Sequence, residues 1–371
     1  MEWHSLHVVY YASDKDRLLL EAVRPLFRRL APEVAATSFT RHWRLGPHVR
    51  MHVRCAPAAV PALVRPAAEE IVGGFLARCP SRARLVPQDH IEEHRRLAEL
   101  EDEDRPLLPW RPDNTIHEAP FERRAHVLGS EEAADLLADF HAATADPAFR
   151  MTEAVADGTP RLGLAFDLMV ATAHALSGVG ITTGFMSFRS HAEAFLTTHP
   201  GAQRLRPSWD AHYRGHAASL RGRVGRITGA LDGGADGAEG FVDEWTQLMH
   251  SFRRRGRALL AAGRLPSDTA FAPGVDGRPP PLVGASPYHR AAYSNPAVMA
   301  SMTAEWFVLY RLMLNYTYLF MTQLGVTPVE RYLLCHLAAN AVEDLYGVSA
   351  MERITQAPPE PVPDAGGGEP G

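Results

Sequence analysis

Lysine is almost missing from this chain: of 38 basic residues only Lys15 carries an amine, and the rest are arginines. Arginine binds carboxylates and carbonyls through a planar fork of N–H donors, so its dominance favours bidentate polar recognition. Cysteine is scarce too. Cys55, Cys79 and Cys335 form no CxxC pair, and an odd count implies no disulfide framework. That usage points to a reducing cytoplasm. No run of 18 apolar residues occurs, so no membrane-spanning helix is expected. The opening MEWHSLHVVYYASDKD lacks the basic-then-apolar layout of a signal peptide. Nucleotide fingerprints are absent, both GxxxxGK[ST] and GxGxxG behind a strand. So is the GxSxG elbow of a serine hydrolase. Without HExxH or paired CxxC motifs, no metal and no other cofactor is expected.

What is present describes a folded protein. The 371 residues are 46% hydrophobic and 22% charged, enough to bury one large core or two of ordinary size. A net charge of −5 gives no general attraction to nucleic acid or to an anionic membrane, and neither is expected as a partner.

Hydrophobic periodicity divides the chain in two. Leu6–Tyr11 reads as a strand, followed by a helix from Asp14 to about Leu30 that Pro25 should kink. Ser38–Trp43 and His48–Arg54 read as two strands joined at Leu45–Pro47, and a helix follows from about Ala58 to Arg78. This β-α-β-β-α order predicts a ferredoxin-like antiparallel sheet unit. Asp89–Asp113 is charged and reads as a solvated helix end and loop, and Thr115–Val127 as extended. Helical patterns then occupy Glu131–Ala142, Leu162–Ser177, Phe188–Phe195, Ser208–Leu231, Phe241–Ala262, Met299–Leu324 and Pro328–Tyr346. The expected fold class is α+β: a sheet domain at 1–129 packed with a largely helical domain at 130–355. A Pro/Gly-rich tail, QAPPEPVPDAGGGEPG, covers 356–371 and reads as disordered.

Four stretches carry polar groups that packing alone does not require. His4, His7, His48 and His52 gather in the first strands, and His48 and His52 share a strand face, yet no third-ligand motif makes them a metal site. SGVGITTG (Ser177–Gly184) follows a helical pattern and reads as a turn. FTRHWRLGPHVRMHVR presents Arg41, Trp43, Arg44, Arg50 and Arg54. It is either an amphipathic hairpin with a wet arginine face or a surface that grips an anion or an extended peptide. FMSFRSHAEAFL places Ser187, Arg189, Ser190 and His191 at a helix start, where carbonyl oxygens or anions are favoured ligands. In GASPYHRAAYSNP, Ser286 and Ser294 suit helix caps and Pro296 suits a first helical position. Tyr288, His289 and Tyr293 are not explained that way, and packing and proton chemistry both remain open for them.

The landmarks WHSLHVVYYASDKDRLLLEAVRPLFRRL, FTRHWRLGPHVRMHVR and SFRSHAEAFL resemble, in order, the elimination domain of class I lantibiotic dehydratases, over about residues 3–350. Such domains also stand alone in thiopeptide biosynthesis. The resemblance implies one of two activities. Elimination enzymes release glutamate from glutamylated Ser/Thr to leave dehydroalanine. Pyridine synthases join two dehydroalanines by a formal aza-[4+2] cycloaddition, then expel water and the leader peptide. Eliminating members carry a Tyr-Glu-Arg core and a Tyr-Gly-Gly ending. Here the matching segment is EAPFERRAHVLGS and the Tyr-Gly-Gly ending is missing, while the long loop and GASPYHRAAYSNP look more like a pyridine synthase. The resemblance implies a leader-bearing modified precursor peptide as partner and no cofactor. It implies Tyr293 as proton donor or orienting hydroxyl, with Ser286 and His289 as hydrogen-bonding partners. Arg189, His191, Ser187, Tyr288 and Arg290 would bind substrate, and Arg41, Trp43, Arg44 and Arg50 the leader. The alternatives are a glutamate-eliminating lyase and a non-catalytic leader-binding scaffold; monomer and homodimer are both left open.

Overall fold

The computed structural model of the protein describes residues 1–100, 103–234, 240–265 and 286–355. Most of the expected loop at 265–287 and the tail at 356–371 therefore lie outside the described residues.

Four strands form one sheet: β1 (Glu2–Val9), β2 (Ala36–His42), β3 (His48–Cys55) and β4 (Thr115–Ala119). Their order is β2-β3-β1-β4, and every neighbouring pair is antiparallel. With helical crossovers at 16–30 and 60–78, this is the ferredoxin-like unit expected, with an added helix at Pro87–Leu100 before β4. One sheet face carries Leu6, Val8, Phe39, Val49, Met51 and Val53. All six are buried, as are Leu18, Leu19, Ala22, Val23 and Leu26 of the first crossover helix. Prolines are absorbed locally. A π turn at Leu19–Val23 leads into the segment holding Pro25, and another at Val60–Val64 leads into the one holding Pro66. The wider turn relieves the clash with the carbonyl four residues back. Asp14 serves the expected helix start, its Oδ1 accepting the Asp16 N–H at 2.8 Å. The one lysine is buried beside it. Lys15 donates its ammonium to the Tyr10 and Ala12 carbonyls at 2.9 and 2.6 Å, and burial lowers its pKa to about 8.

The chain forms two compact units. The sheet unit comprises Met1–Val127, Ala134–Arg161 and Leu319–Gly325; the helical unit comprises Leu128–Ala133, Leu162–Tyr318 and Val326–Gly371. Residues 134–161, with most of the helices Glu131–Ala143 and Ala145–Ala156, thus belong with the sheet. Phe149 there stacks on Phe39 of β2, with ring centroids 5.0 Å apart. Gln323 ties in the other returning segment, donating to the Phe39 carbonyl at 2.9 Å.

In the helical unit, Met186–Thr198, Arg206–Leu231 and Pro328–Tyr346 pack around Phe195, which stacks on Tyr332 at 4.5 Å and on Trp209 at 5.9 Å. Of the Ser177–Gly184 stretch only Ser177–Gly180 turns as expected, with positive φ at Gly178 and Gly180, and Ile181–Gly184 is a short helix. Gly184 then passes so close to the helix Arg161–Ala175 that a Cβ would sit 2.5 Å from the Ala173 carbonyl oxygen, so only glycine fits.

Two expectations are corrected. Thr115–Val127 is extended only through Ala119, and Ala125–Leu128 is helical. Met299–Leu324 is not one helix. It splits into Pro296–Ser301 and Glu305–Gln323. At the break the Ser301 and Thr303 hydroxyls donate to the Val298 and Ala300 carbonyls, competing with the helical ladder. Among the described residues no helix is long and apolar enough to cross a membrane.

Candidate active site

Ser286 starts the helix Pro287–Ser294. Its extended backbone lets Oγ accept the His289 N–H at 3.2 Å, and Pro287 occupies the first turn, where a missing N–H costs nothing. That cap brings the Ser286 Oγ within 2.8 Å of the His289 Nδ1. The other ring nitrogen, Nε2, lies 3.1 Å from the Ser190 Oγ on the helix Met186–Thr198. Ser286 is 0% exposed and His289 2%. Burial lowers the His289 pKa, opposed by Glu193, so the ring is held neutral and can both donate and accept. Tyr293, one turn on, stacks over His289 with ring centroids 6.5 Å apart and is half-buried. Its own pKa is raised by burial, opposed by Arg311, which keeps it a hydrogen-bond donor.

Two more tyrosines dock these helices. The Tyr288 hydroxyl donates to the Met186 carbonyl at 3.1 Å, and Tyr310 donates to the Gly184 carbonyl at 2.7 Å while Ser187 hydrogen-bonds the Tyr310 hydroxyl. His191 Nδ1 lies 2.9 Å from the Tyr318 hydroxyl, which in turn lies 3.3 Å from the Cys335 sulfur. Burial pushes the His191 pKa down to about 3 and the Cys335 thiol up to about 12.

The structure thus joins Ser286 and His289 to Ser190 with Tyr293 stacked on His289, while Tyr288 bonds the Met186 carbonyl, Ser187 bonds Tyr310, and His191 belongs to a separate chain through Tyr318. Arg189 is occupied: it donates to the Asn340 Oδ1 at 2.7 Å and pairs with Glu343. Arg290 is exposed on the same helix as His289. Ser294 caps nothing, being the last residue of its helix; Asn295 caps the next one, its Oδ1 accepting the Ala297 N–H at 2.9 Å. Asn can fill a cap as well as Ser, so the pattern SNP did not distinguish them. Sequence reasoning placed Ser190 at a helix start without assigning it to the site, and gave no role to Tyr310 or Tyr318. Ser190 meets His289 across 99 residues, a pairing no local pattern announces.

The sheet unit holds the other arginines differently. Antiparallel register sets Thr40 opposite Arg50, so Arg41 points to the opposite face. Arg41 donates to the Gln323 carbonyl at 3.0 Å and pairs with Asp16 at 3.2 Å. Arg50 is 7% exposed and pairs with Glu122 at 3.0 Å, and Glu122 also takes Arg44 at 3.3 Å and Arg105. Trp43 stacks on His42 at 5.6 Å. His48 and His52 share a strand face as expected, but that face, with Arg50, is buried, against the reading of a wet arginine face. It also carries His7, which stacks on His48 at 4.8 Å. Among the described residues no three His, Cys, Asp or Glu converge as metal ligands.

A family model described as lantibiotic biosynthesis dehydratase C-term matches residues 3–342. The chain belongs to this family. Among solved structures, this member of the lantibiotic dehydratase C-terminal family is similar to the pyridine synthase TbtD from thiomuracin biosynthesis. The two share 37% identity and a TM-score of 0.76, over 94% of this chain and 100% of that one. It also shares its fold with TsrL, at 21% identity and a TM-score of 0.70, over 97% and 99% of the two chains. No curated protein sequence matches it. Within the segment where eliminating members carry their Tyr-Glu-Arg core, Glu122 of this family member is committed to three arginines and Arg123 to Asp135.

Proposed function

We propose that this protein is a thiopeptide pyridine synthase. It joins two dehydroalanines of a leader-bearing precursor peptide by a formal aza-[4+2] cycloaddition and then releases water and the leader. The observation that carries this is the end-to-end likeness to TbtD, at 37% identity over all of that chain. One substrate amide must pass to its iminol form to act as the azadiene, which calls for hydroxyl or imidazole groups at one amide oxygen. The two alkenes must also be held face to face, an entropic task that binding performs. Ring closure forms two C–C bonds, one from the iminol carbon to the Cα of the second dehydroalanine and one between the two Cβ atoms. Aromatisation then expels the amide oxygen as water and the leader as its C-terminal amide.

Tyr293, neutral and half-buried, is the proposed donor to the reacting amide, and the Ser286–His289 pair holds the imidazole beneath it. Ser187, Tyr288, His191, Arg189 and Arg290 are the proposed substrate-binding surroundings. Leader recognition is proposed for the sheet unit through Arg41, Trp43, Arg44 and Arg50. Their cations already hold Asp16 and Glu122, so the leader competes for donors that are in use. Unchanged leader affinity after replacing Arg41, Arg44 and Arg50 removes that assignment.

The deciding experiment incubates the protein with a leader-bearing, thiazole-containing peptide that has two dehydroalanines and records the masses. Loss of water together with free leader amide is expected. Turnover of a glutamylated peptide instead identifies an eliminating lyase, and clean leader binding without any mass change identifies a scaffold.

A further inference from the structure

We propose that Ser190 is a catalytic residue of this site, the terminal hydrogen-bond donor to the reacting amide oxygen, charged by a one-way chain from Ser286 through His289. The inference rests on the pyridine-synthase reading and adds a residue to it.

The direction of the chain follows from counting hydrogens. Ser286 Oγ accepts the main-chain N–H of His289 at 3.2 Å, so its own hydrogen remains to be placed. Ser286 is fully buried, and the neighbour placed to accept that hydrogen is the His289 Nδ1 at 2.8 Å. In the opposite tautomer both N–H groups would point at Ser286 and, among the described residues, leave a buried hydroxyl hydrogen without an acceptor, which native interiors avoid. His289 therefore carries its proton on Nε2 and donates it to the Ser190 Oγ at 3.1 Å. Ser190 accepts, so its own hydrogen is also free to be given.

The usual sink for such a hydrogen is closed. A helical serine donates back to the carbonyl four residues earlier. Thr197 does this toward Glu193, and Thr198 toward Ala194. For Ser190 that carbonyl belongs to Met186, and it already accepts the Tyr288 hydroxyl at 3.1 Å. Ser190 is half-buried, whereas Ser286 and His289 are closed off, so the chain has one open end, and it is Ser190. A hydroxyl that accepts from an imidazole N–H is a stronger donor than a lone serine, because hydrogen bonds in series polarise one another. A donor fixed in this way before reaction suits an oxygen on which charge develops as the amide becomes an iminol.

Two measurements test this on the full chain. Nitrogen-15 NMR of histidine-labelled protein reads the His289 tautomer, independently of turnover. The Nε2–H form is expected, and an Nδ1–H form overturns the proposal, since Ser190 would then donate to the ring. Kinetics on the bis-dehydroalanine peptide supply the second. Ser190→Ala is expected to lower kcat about 10²-fold, the loss typical of one transition-state donor, with KM unchanged. Ser190→Thr, which keeps the hydroxyl, is expected to recover most of the rate. An active wild type with an equally active Ser190→Ala overturns the donor role alone and leaves the pyridine-synthase reading standing. A wild type that does not convert this peptide overturns the reading, and the donor role with it.

Discussion

Two regions of this protein bury imidazoles, and they do so to different ends. On the sheet, His48 uses both ring nitrogens internally: Nδ1 lies 2.8 Å from the Gly46 carbonyl, and Nε2 accepts the Arg50 N–H at 3.2 Å. Arg50 then ends on the partly buried carboxylate of Glu122, so the chain closes on an internal acceptor. In the helical unit the chain Ser286–His289–Ser190 runs the same kind of bonds but stops at a half-buried hydroxyl. Burial, neutral histidine and dense hydrogen bonding are common to both. On the proposed reading, what separates a scaffold from a reactive site is an end left over.

The sharpest way to break that comparison is to truncate one imidazole in each region. His289→Ala is expected to lower kcat by about 10²–10⁴-fold, the usual worth of a positioned proton-handling group, and also to cost about 1–3 kcal/mol in unfolding, because it leaves the buried Ser286 hydroxyl unpartnered. His48→Ala is expected to change stability alone. It leaves the buried Arg50 Nε and Gly46 carbonyl unpartnered and costs about 2–3 kcal/mol in urea unfolding, while kcat at saturating peptide holds. Equal effects on both properties in both variants would erase the distinction.

Acid supplies a smaller, graded test. Burial lowers the pKa of His48 and His52 to about 3 and that of His141 to about 4, so the folded state refuses protons that the unfolded chain accepts near 6.5. Their contribution is fully present above the unfolded value and is lost as pH falls from there through the folded values. Each such histidine is expected to cost about 1.4 kcal/mol per pH unit below about 6. Denaturation midpoints from pH 7 to 5 check this, and His52→Phe is expected to flatten the slope. The smallest effect separates two neighbours at the site's edge. Asn295→Ala is expected to cost about 1 kcal/mol as a lost helix cap, and Ser294→Ala to stay within about 0.5 kcal/mol, both read from thermal unfolding.

Local pattern carried the fold a long way. Alternating apolar residues marked β1, β2 and β3, the Leu45–Pro47 turn lay between β2 and β3 as expected, and the β-α-β-β-α order alone implied the ferredoxin-like sheet. The pattern failed where a polar face is covered by distant chain. Ser38, Arg50 and His52 alternate as a wet strand would, yet Glu122, 72 residues on, pairs with Arg50 and also holds Arg44 and Arg105. The site divides along the same line. Ser286 and His289 lie three residues apart in one quoted stretch, so their pairing was within reach of sequence. Arg189 spends its charge on Asn340 and Glu343, 151 and 154 residues away, and Ser190 finds His289 at 99. Those bonds exist only once the helices have packed.

The seclusion of the few amines and thiols has a chemical consequence. Dehydroalanine is a conjugate acceptor, open to attack by thiolates and free amines. This chain has one lysine, enclosed by the Tyr10 and Ala12 carbonyls, and Cys55 and Cys335 are buried, the latter as an un-ionised thiol. Only Cys79 is partly accessible, with Arg17 donating to its sulfur at 3.4 Å. Arginine, which supplies nearly all of the positive charge, stays protonated and does not add to the alkene. On the pyridine-synthase reading, two electrophilic alkenes held against this surface would find almost nothing to alkylate.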